Sequence, residues 1–476
     1  MIKKYILTLC CGLFIIKACE LNYSSKKKNI LLICIDDLRP ELKSFGASYI
    51  YSPNIDSLAA MGMRFNRHFV NAPSCGPSRY TLLTGTYGPS GNNALFLRAN
   101  KIKAGQEKIN PSLPEWFKAH GYTTVSVGKV SHHPGGRGGK DWNDSTQVEM
   151  PGAWDKSLLP VGEWQHPRGV MHGLANGEIR KSANEMDIFQ HFDGDDESYP
   201  DGAITNETQN QINQLAKAKN PFLLAVGIIK PHLPFGAPKA YYDRYNNVSL
   251  PPIKYPNKPT GTTTWHNSGE FMKYKRWGKD PNNDKVFADE VRRHYAAAVS
   301  YADAQVGKIL ETLKKSGAYK NTIIVLWGDH GWHLGEHGIW GKHSLFEESL
   351  QSPLIIYDPF MNQSGRETEA IVETLDLFPT LCDLTDIDIP SFVNGVSLKN
   401  ILKNPHQTGH AAIAYTNRAT TIRTDTHRMI LHKDGQVELY DHNSPYKETR
   451  NIFNQNQGLV LELKEKLKIK LNQLKK

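Results

Sequence analysis

The sequence predicts an α/β fold in which helices flank a large, mainly parallel sheet. Residues 29–35, 221–229 and 322–327 are continuous apolar runs, too short for helices, and polar residues follow each of them at once. Buried parallel strands have this character. Strands that alternate with amphipathic helices are typical of a parallel sheet with both faces covered.

Further segments complete this order. Residues 52–61 predict a helix after the first strand, and residues 122–127 predict another strand. Over residues 287–313 the apolar positions are spaced three and four apart, which predicts one face of a long helix. Residues 133–200 and 245–285 are rich in Gly, Pro, Asn, Trp and Asp without periodicity. We expect them to be long loops over the site, where specificity is usually carried.

Three parts are predicted along the chain: residues 1–18 as a signal peptide, 29–410 as the main domain, and 411–476 as a small antiparallel subdomain with a terminal helix. The first part has a basic start and an apolar run too short to span a bilayer, which is typical of export. Cys19 follows Ala18, which resembles a bacterial lipoprotein box. Lipidation of Cys19 with membrane attachment, and free secretion, both remain open. Either places the protein in the periplasm or at the surface of a bacterium.

The net charge of +9 is concentrated at the two ends of the chain. Residues 1–28 carry +5 and residues 461–476 carry +4, so the body between them is neutral. A neutral body with no basic stripe argues against a nucleic-acid partner. The body retains only Cys34, Cys75 and Cys382, which is not a disulfide framework in a chain of 476 residues.

Polar residues follow three of the predicted strands. They are Asp36 and Asp37, then Lys230 and His232, then Asp329 and His330. Open α/β sheets bind ligands at this edge. Adjacent buried carboxylates raise each other's pKa, and a divalent cation is the simplest way to neutralise them. Their oxygen ligands suit calcium or magnesium.

Cys75 lies in a polar stretch that no packing argument explains. Residues 73–79 read Pro-Ser-Cys-Gly-Pro-Ser-Arg, and Thr84-Gly85 follows. The pattern Cys-x-Pro-Ser-Arg with a downstream Thr-Gly resembles the maturation signature of type I sulfatases, in which the cysteine is oxidised to formylglycine. Without that modification, Cys75 would be an ordinary thiol at a helix N-terminus.

The resemblance extends over roughly residues 29–455. Residues 31–40, 126–132, 230–235 and 329–338 look like the iduronate-2-sulfatase branch of that family. It implies the alkaline-phosphatase-like sulfatase fold and an aldehyde hydrate that attacks sulfur with one oxygen and expels sulfate with the other. It also implies a partner, the maturase that generates formylglycine from Cys75.

The family's metal ligands match Asp36, Asp37, Cys75 in its modified form, Asp329 and His330, which implies one calcium ion per chain. Hard cations seldom choose imidazole, so His330 is the weakest of these on physical grounds. It could instead orient the site from behind the ligands.

The resemblance also implies catalytic roles for five residues. Arg79 would hold the aldehyde hydrate, and Lys129 and Lys342 would clamp sulfate oxygens. His132 would act as the base that releases sulfate, and His232 would protonate the leaving sugar oxygen.

Further polar residues are open to several interpretations. His333, Glu336 and His337 match the His-x-x-Glu-His spacing of a zinc site, but three nearby glycines make this stretch a poor helix, so we expect orienting or substrate-contacting roles there and for His343. His133 is an alternative to His132. Candidates for binding a substrate carboxylate are Arg168, Arg180 and Lys181.

The sequence therefore predicts an exported, calcium-dependent sulfatase acting on a sulfated glycan, with a uronate 2-O-sulfate as the first expectation. Algal glycans such as ulvan or carrageenan are an alternative substrate class. A phosphoester or phosphonate hydrolase on the same fold is a second alternative. A non-catalytic glycan-binding lipoprotein is a third, against which the intact Cys75, Arg79 and Lys129 argue.

Overall fold

The computed structural model describes residues 27–105, 109–137, 146–180, 182–259, 266–361 and 365–473. The predicted signal peptide and Cys19 lie outside these residues. In the part described, no helix is both long and apolar enough to cross a membrane.

The described residues form twelve α-helices and sixteen β-strands. The helices are α1 Pro53–Met61, α2 Cys75–Thr84, α3 Ala94–Lys103, α4 Leu113–Ala119, α5 Pro167–His172, α6 Pro200–Leu215, α7 Lys239–Asp243, α8 Lys285–Lys315, α9 Glu347–Leu350, α10 Leu377–Leu384, α11 Lys399–Lys403 and α12 Gln457–Gln473. The strands are β1 Asn29–Ile35, β2 Met63–Phe69, β3 Thr123–Gly128, β4 Lys156–Leu158, β5 Phe189–Phe192, β6 Phe222–Ile228, β7 Phe235–Pro238, β8 Thr322–Gly328, β9 His333–Leu334, β10 Trp340–Gly341, β11 Leu354–Tyr357, β12 Arg366–Glu373, β13 Ala412–Tyr415, β14 Ala419–Arg423, β15 His427–His432 and β16 Val437–Asp441.

The main sheet has eight strands in the order β12-β2-β11-β8-β1-β6-β3-β4. The central strand β1 pairs in parallel with β6 and β8, and its last residue, Ile35, lies opposite Ile228 and Gly328. Because the three strands end in register, the residues that follow them leave the sheet at one edge. The predicted mainly parallel sheet is confirmed.

Both faces of this sheet are buried. Along β1, Ile30, Leu32 and Cys34 belong to one apolar cluster, while Leu31 and Ile33 belong to another on the opposite face. Side chains that alternate between two cores explain why the strand reads as a continuous apolar run. The predicted cover on both faces is confirmed.

The sheet also contains strands that the apolar runs do not predict. β2, β11 and β12 extend one side of the sheet, and β11 runs antiparallel to both of its neighbours. β2 reads Met-Arg-Phe-Asn-Arg-His-Phe and β12 begins Arg-Glu-Thr-Glu, so neither has the apolar signature. The stretch predicted as a loop over 133–200 likewise contributes the edge strand β4 and the helix α5.

The C-terminal subdomain is a four-stranded antiparallel sheet, β13-β14-β15-β16, as the sequence predicts. Val460, Leu463 and Leu467 of α12 pack on its apolar face. On the other side, a buried ion-pair network joins Arg428 to Glu347 of the main domain and to Glu448.

Candidate active site

Asp36, Lys129 and Asp329 of the predicted site lie together at the edge of the sheet where β1, β3 and β8 end. The backbone N–H of Asp36 donates to the Ile228 carbonyl at 3.1 Å, and that of Asp329 donates to the Ile35 carbonyl at 3.1 Å. The sheet's hydrogen bonding thus runs on into the site residues and fixes their backbones. The N–H of Asp37 donates to Asp329 Oδ1 at 2.9 Å, which ties the two strand ends together.

Lys129 follows β3 in the same way, and its N–H donates to the Gly227 carbonyl at 2.9 Å. A Cβ atom at Gly227 would lie 1.9 Å from the carbonyl carbon of Lys129, so only glycine permits this approach. The Lys129 ammonium donates to the carboxylate of Asp36. Lys129 is thereby held beneath the site, with 1% of its surface exposed.

Cys75 is the first residue of α2 and is 1% exposed. Its sulfur lies 3.3 Å from His330 Nε2 and 3.2 Å from Lys342 Nζ. Burial, reinforced by the charge of Asp36, raises the pKa of the Cys75 thiol well above its usual value. The unmodified side chain is therefore a neutral thiol at physiological pH.

Arg79 lies one helical turn after Cys75 and is fully buried. Its guanidinium donates to Asp329 Oδ2 at 3.0 Å and to Asp36 Oδ1 at 3.3 Å. It also donates to the Lys129 and Val130 carbonyls. Arg79 thus neutralises two carboxylates and locks α2 against the sheet edge.

The three carboxylates differ in their electrostatics. Burial opposes ionisation of Asp36, but Lys129, His232 and Arg79 hold its pKa well below the usual value. Burial raises the pKa of Asp37 despite the Lys342 ammonium at 2.8 Å. Burial, together with the charge of Asp36, raises the pKa of Asp329 to about 6.

These residues fit a divalent cation. Ligand atoms of Asp36, Cys75, Asp329 and His330 lie within 4.8 Å of one another, as do ligand atoms of Asp36, Asp37, Cys75 and His232. Asp37 Oδ2 is buried and has no hydrogen-bond partner among the described residues. A hard cation would supply that partner and the missing positive charge, since carboxylate oxygens are its preferred ligands.

His232 and His132 both line the cavity above Cys75. His232 Nδ1 lies 2.6 Å from the Leu233 carbonyl, which directs its Nε2 toward Asp36 Oδ2 and Glu270 Oε1, each at 4.0 Å. Burial and the nearby Lys129 hold the pKa of His232 well below its usual value. Burial and the adjacent His133 do the same to the pKa of His132.

The structure distinguishes His132 from His133. The N–H of His133 donates to Glu149 Oε2 at 2.5 Å, and its Nδ1 lies 3.2 Å from Glu149 Oε1. His133 is therefore occupied in the protein interior, whereas His132 lines the cavity.

The cavity has a volume of about 690 Å³, within the range of small-ligand sites. Some of its lining comes from residues that the sequence does not single out by any motif: Asn92, His266, Glu270, Lys273, Tyr274 and Arg418. They belong to segments without periodicity or to a hairpin turn, so only tertiary structure brings them to the site. His343, considered in the sequence, also lines the cavity.

Two of the proposed carboxylate-binding candidates point elsewhere. Arg180 pairs with Glu178 at 2.5 Å, and Arg168 Nε lies 3.4 Å from His172 Nε2. Neither is among the described residues that line the cavity. Lys181 lies outside the described residues.

His333, Glu336 and His337, which have the spacing of a zinc site, do not bring their ligand atoms into one cluster. His333 Nδ1 lies 3.2 Å from the Glu336 carbonyl oxygen, and His333 Nε2 lies 2.8 Å from Ser344 Oγ. The Glu336 carboxylate pairs with Arg39 at 3.0 Å. The segment forms a two-residue strand and a 3₁₀ turn, as its glycines predict, and not an α-helix.

Comparisons with known proteins agree with this architecture. The Sulfatase family profile matches residues 28–387, and the profile for the C-terminal region of N-sulphoglucosamine sulphohydrolase matches residues 335–476. A sulfatase from Formosa agariphila is 30% identical over 442 residues, covering 90% of this chain and 83% of the relative. Iduronate 2-sulfatase from Homo sapiens is 31% identical over 413 residues, covering 78% of this chain and 71% of the relative.

A solved structure shares the fold at lower identity. The phosphonate monoester hydrolase of Agrobacterium radiobacter superposes with a TM-score of 0.73 at 21% identity, covering 94% of this chain and 96% of that one. Fold and site together define an α/β protein whose buried carboxylates at one sheet edge could hold a divalent cation. The chain belongs to the sulfatase family, and it is a sulfuric ester hydrolase.

Proposed function

We propose that this sulfatase hydrolyses sulfate monoesters of a glycan, with formylglycine formed from Cys75 as the source of the nucleophile. The observation that carries the proposal is the position of the Cys75 sulfur, 3.2 Å from Lys342 Nζ and beside three buried carboxylates. Burial raises the pKa of the thiol, so unmodified cysteine would be a poor nucleophile here. The surroundings therefore favour a different group at this position.

The modified side chain supplies, as its hydrate, one hydroxyl group that attacks sulfur and a second that allows sulfate to leave. Asp36, Asp37, Asp329 and His330 would hold calcium beside it, and the ion would polarise a sulfate oxygen and acidify the attacking hydroxyl.

The cationic side chains stabilise charge around the reacting group. Lys342 lies at the cavity wall, where its ammonium can contact both the hydroxyl group of residue 75 and a sulfate oxygen. Burial opposes its charged form, but Asp37 holds the pKa of Lys342 well above the usual value, so it stays cationic. The sequence predicts that Lys129 contacts a sulfate oxygen and Arg79 the aldehyde hydrate. Both side chains are buried against carboxylates and neither is among the described residues that line the cavity, so in this proposal they act from beneath by fixing Asp36 and Asp329.

The two cavity histidines supply proton transfer. The depressed pKa of His132 keeps its imidazole neutral, as a general base requires. His232 must be protonated to act on the leaving oxygen, and the negative charge of a bound sulfate ester would raise its pKa toward that state. Its Nε2 already faces the cavity beside Glu270.

For the substrate, we infer a uronate 2-O-sulfate within a sulfated oligosaccharide. The iduronate-like motifs and the 31% identity to human iduronate 2-sulfatase support this inference. Algal glycans remain the alternative, since loops set the sugar. A phosphonate hydrolase is the second candidate, because the Agrobacterium radiobacter structure shares the fold.

Export belongs to the same proposal. The basic start and short apolar run of residues 1–18 support a signal peptide, and Ala18-Cys19 supports lipid attachment in a bacterial envelope. Incorporation of labelled palmitate into the wild type but not into Cys19→Ser tests the anchor. Equal labelling of the two proteins, or none, would exclude it.

The substrate is tested by sulfate release from uronate 2-O-sulfated, ulvan and carrageenan oligosaccharides, using enzyme co-produced with a formylglycine-generating maturase. We expect release from the uronate 2-O-sulfate. Sulfate release confined to an algal oligosaccharide would show that the substrate is an algal glycan and not a uronate 2-O-sulfate. Turnover of phosphonate or phosphate esters alone would replace the proposal with its second candidate.

A further inference from the structure

Two cationic side chains line the active-site cavity without a counter-ion. Lys273 ends the 3₁₀ turn Phe271–Lys273, and Arg418 lies in the turn between β13 and β14. Both side chains are exposed, and neither forms an ion pair within the part of the chain that the structure describes. Unpaired cations that face a cavity are ready to bind an anion.

The acid of this cavity lies against other basic side chains, although its Oε2 has no hydrogen-bond partner among the described residues. Glu270 is the one carboxylate among the described lining residues, and it lies 3.6 Å from Lys342 and 3.9 Å from His343. Lys342 in turn pairs with Asp37 at 2.8 Å and is assigned to the sulfate ester. Lys273 and Arg418 therefore remain as two positive charges that the ester sulfate does not use.

The turn that carries Arg418 is fixed relative to the reacting centre. The N–H of Tyr415 donates to the Asn71 carbonyl at 3.0 Å, and the Gly88 N–H donates to the Tyr415 hydroxyl at 2.9 Å. These contacts attach the hairpin to the segments on either side of Cys75. Within the turn, the N–H of Arg418 donates to Thr416 Oγ1 at 3.1 Å. A rigid backbone thus presents a long cationic side chain to the cavity.

Resting on the proposed function, we infer that Lys273 and Arg418 form a subsite for a second anionic group on the same glycan. That group is a uronate carboxylate or a second sulfate, both of which an arginine guanidinium can bind through two parallel hydrogen bonds. Arg418 is then a specificity-determining residue. It selects for glycans with two negative charges, while Cys75 and its neighbours perform the hydrolysis.

The test compares kcat/KM for matched substrates. One pair is a sulfated uronate disaccharide and its carboxyl-reduced counterpart, and the other is a disulfated neutral disaccharide and its monosulfated counterpart. Because Arg418 is exposed, we expect Arg418→Ala to lower the preference for the doubly anionic member by about two- to fivefold, the scale of an exposed ion pair. A loss of preference within the first pair identifies the anion as the carboxylate, and a loss within the second pair identifies it as the second sulfate. Arg418→Lys should recover part of the preference.

The exposed Arg450, on the same subdomain but not among the described residues that line the cavity, provides the matched control, and Arg450→Ala should leave both preferences unchanged. The inference is overturned if Arg418→Ala lowers kcat/KM equally for both members of each pair, or leaves both preferences intact.

A binding measurement separates failure of this inference from failure of the proposed function. Titration of the two pairs into Cys75→Ala, with and without Arg418→Ala, requires no turnover. Weaker binding of a doubly anionic member alone would support the subsite even if the wild type released no sulfate. Equal affinities in the two backgrounds would overturn it even if the wild type were an active sulfatase.

Discussion

The ammonium nitrogen of Lys342 lies 3.2 Å from the sulfur of Cys75 and 2.8 Å from Asp37 Oδ1. One cation therefore bridges the residue that we propose is modified and a carboxylate that we propose binds the metal. Lys342 directly follows β10 of the short strand pair β9–β10, and it is far in sequence from both partners. Its ammonium group therefore contacts both the side chain that we propose becomes the nucleophile and a buried carboxylate.

Replacing Lys342 should remove much of this stabilisation. We expect Lys342→Ala to lower kcat on a sulfate ester by about 10²- to 10³-fold, the effect of deleting one preorganised donor to a developing charge. Lys342→Arg should retain part of the activity. The exposed Lys217→Ala is the control and should match the wild type. A Lys342→Ala enzyme with wild-type kcat would show that Lys342 does not act on the reacting group.

Asp37 offers a test of the metal site that keeps the side-chain shape. Its Oδ2 has no hydrogen-bond partner among the described residues. Asp37→Asn keeps an oxygen that can accept from Lys342 but removes the charge that pairs with that ammonium, so metal content and not activity alone is the readout. We expect bound calcium to fall well below about one ion per chain, with activity lost in parallel, because a hard cation prefers carboxylate to amide oxygen. Metal content is measured by elemental analysis, with the exposed Asp388→Asn as control. Full metal content in Asp37→Asn would refute the ligand assignment.

Calcium affinity should depend on pH. In the metal-free protein burial raises the pKa of Asp329 to about 6 and also raises that of Asp37. Below about pH 6 a proton occupies Asp329 and competes with the ion, and the raised pKa of Asp37 acts in the same direction, whereas at higher pH the carboxylates are ionised and free to bind. Calorimetric titration should therefore show weaker calcium binding as the pH falls from about 7.5 to about 5. An affinity that stays constant or rises on acidification would contradict this prediction.

A buried ion-pair network joins the C-terminal sheet to α9 of the main domain. Arg428 is 1% exposed and pairs with Glu448 and with Glu347 at 2.5 Å. Glu448→Ala would leave Arg428 buried with one partner lost, which typically costs about 3–5 kcal/mol of unfolding free energy. Urea unfolding measures it, with the exposed Glu462→Ala in α12 as control. A loss as small as that of the control would show that the network contributes little.

More of the sheet than of the cavity can be predicted from the sequence. β1, β6 and β8 are apolar on both faces, so their burial, their parallel pairing and the polar residues after them follow from pattern alone. β2 and β11 are not predictable in this way, because one is rich in polar residues and the other is four residues long. Tertiary contacts decide their place in the sheet.

The same division holds within the site. Asp36 and Asp329 could be predicted because strand register brings strand ends together, and Cys75 and Arg79 because one motif contains both. Glu270 and Arg418 could not, because they reach the cavity from an aperiodic segment and a hairpin turn. Such residues carry no periodic signal, and only the packing of the C-terminal sheet on the main domain places Arg418.

The central claim is that sulfate ester hydrolysis requires formylglycine at position 75. The most direct test produces the protein with and without a maturase, measures by mass spectrometry the fraction of chains in which the Cys75 sulfur is replaced by a carbonyl oxygen, and assays sulfate release from each preparation. We predict that activity is proportional to this fraction and that Cys75→Ala is folded, retains wild-type thermal stability and releases no sulfate. Sulfate release from Cys75→Ala, or from preparations with no modified chains, would contradict the account.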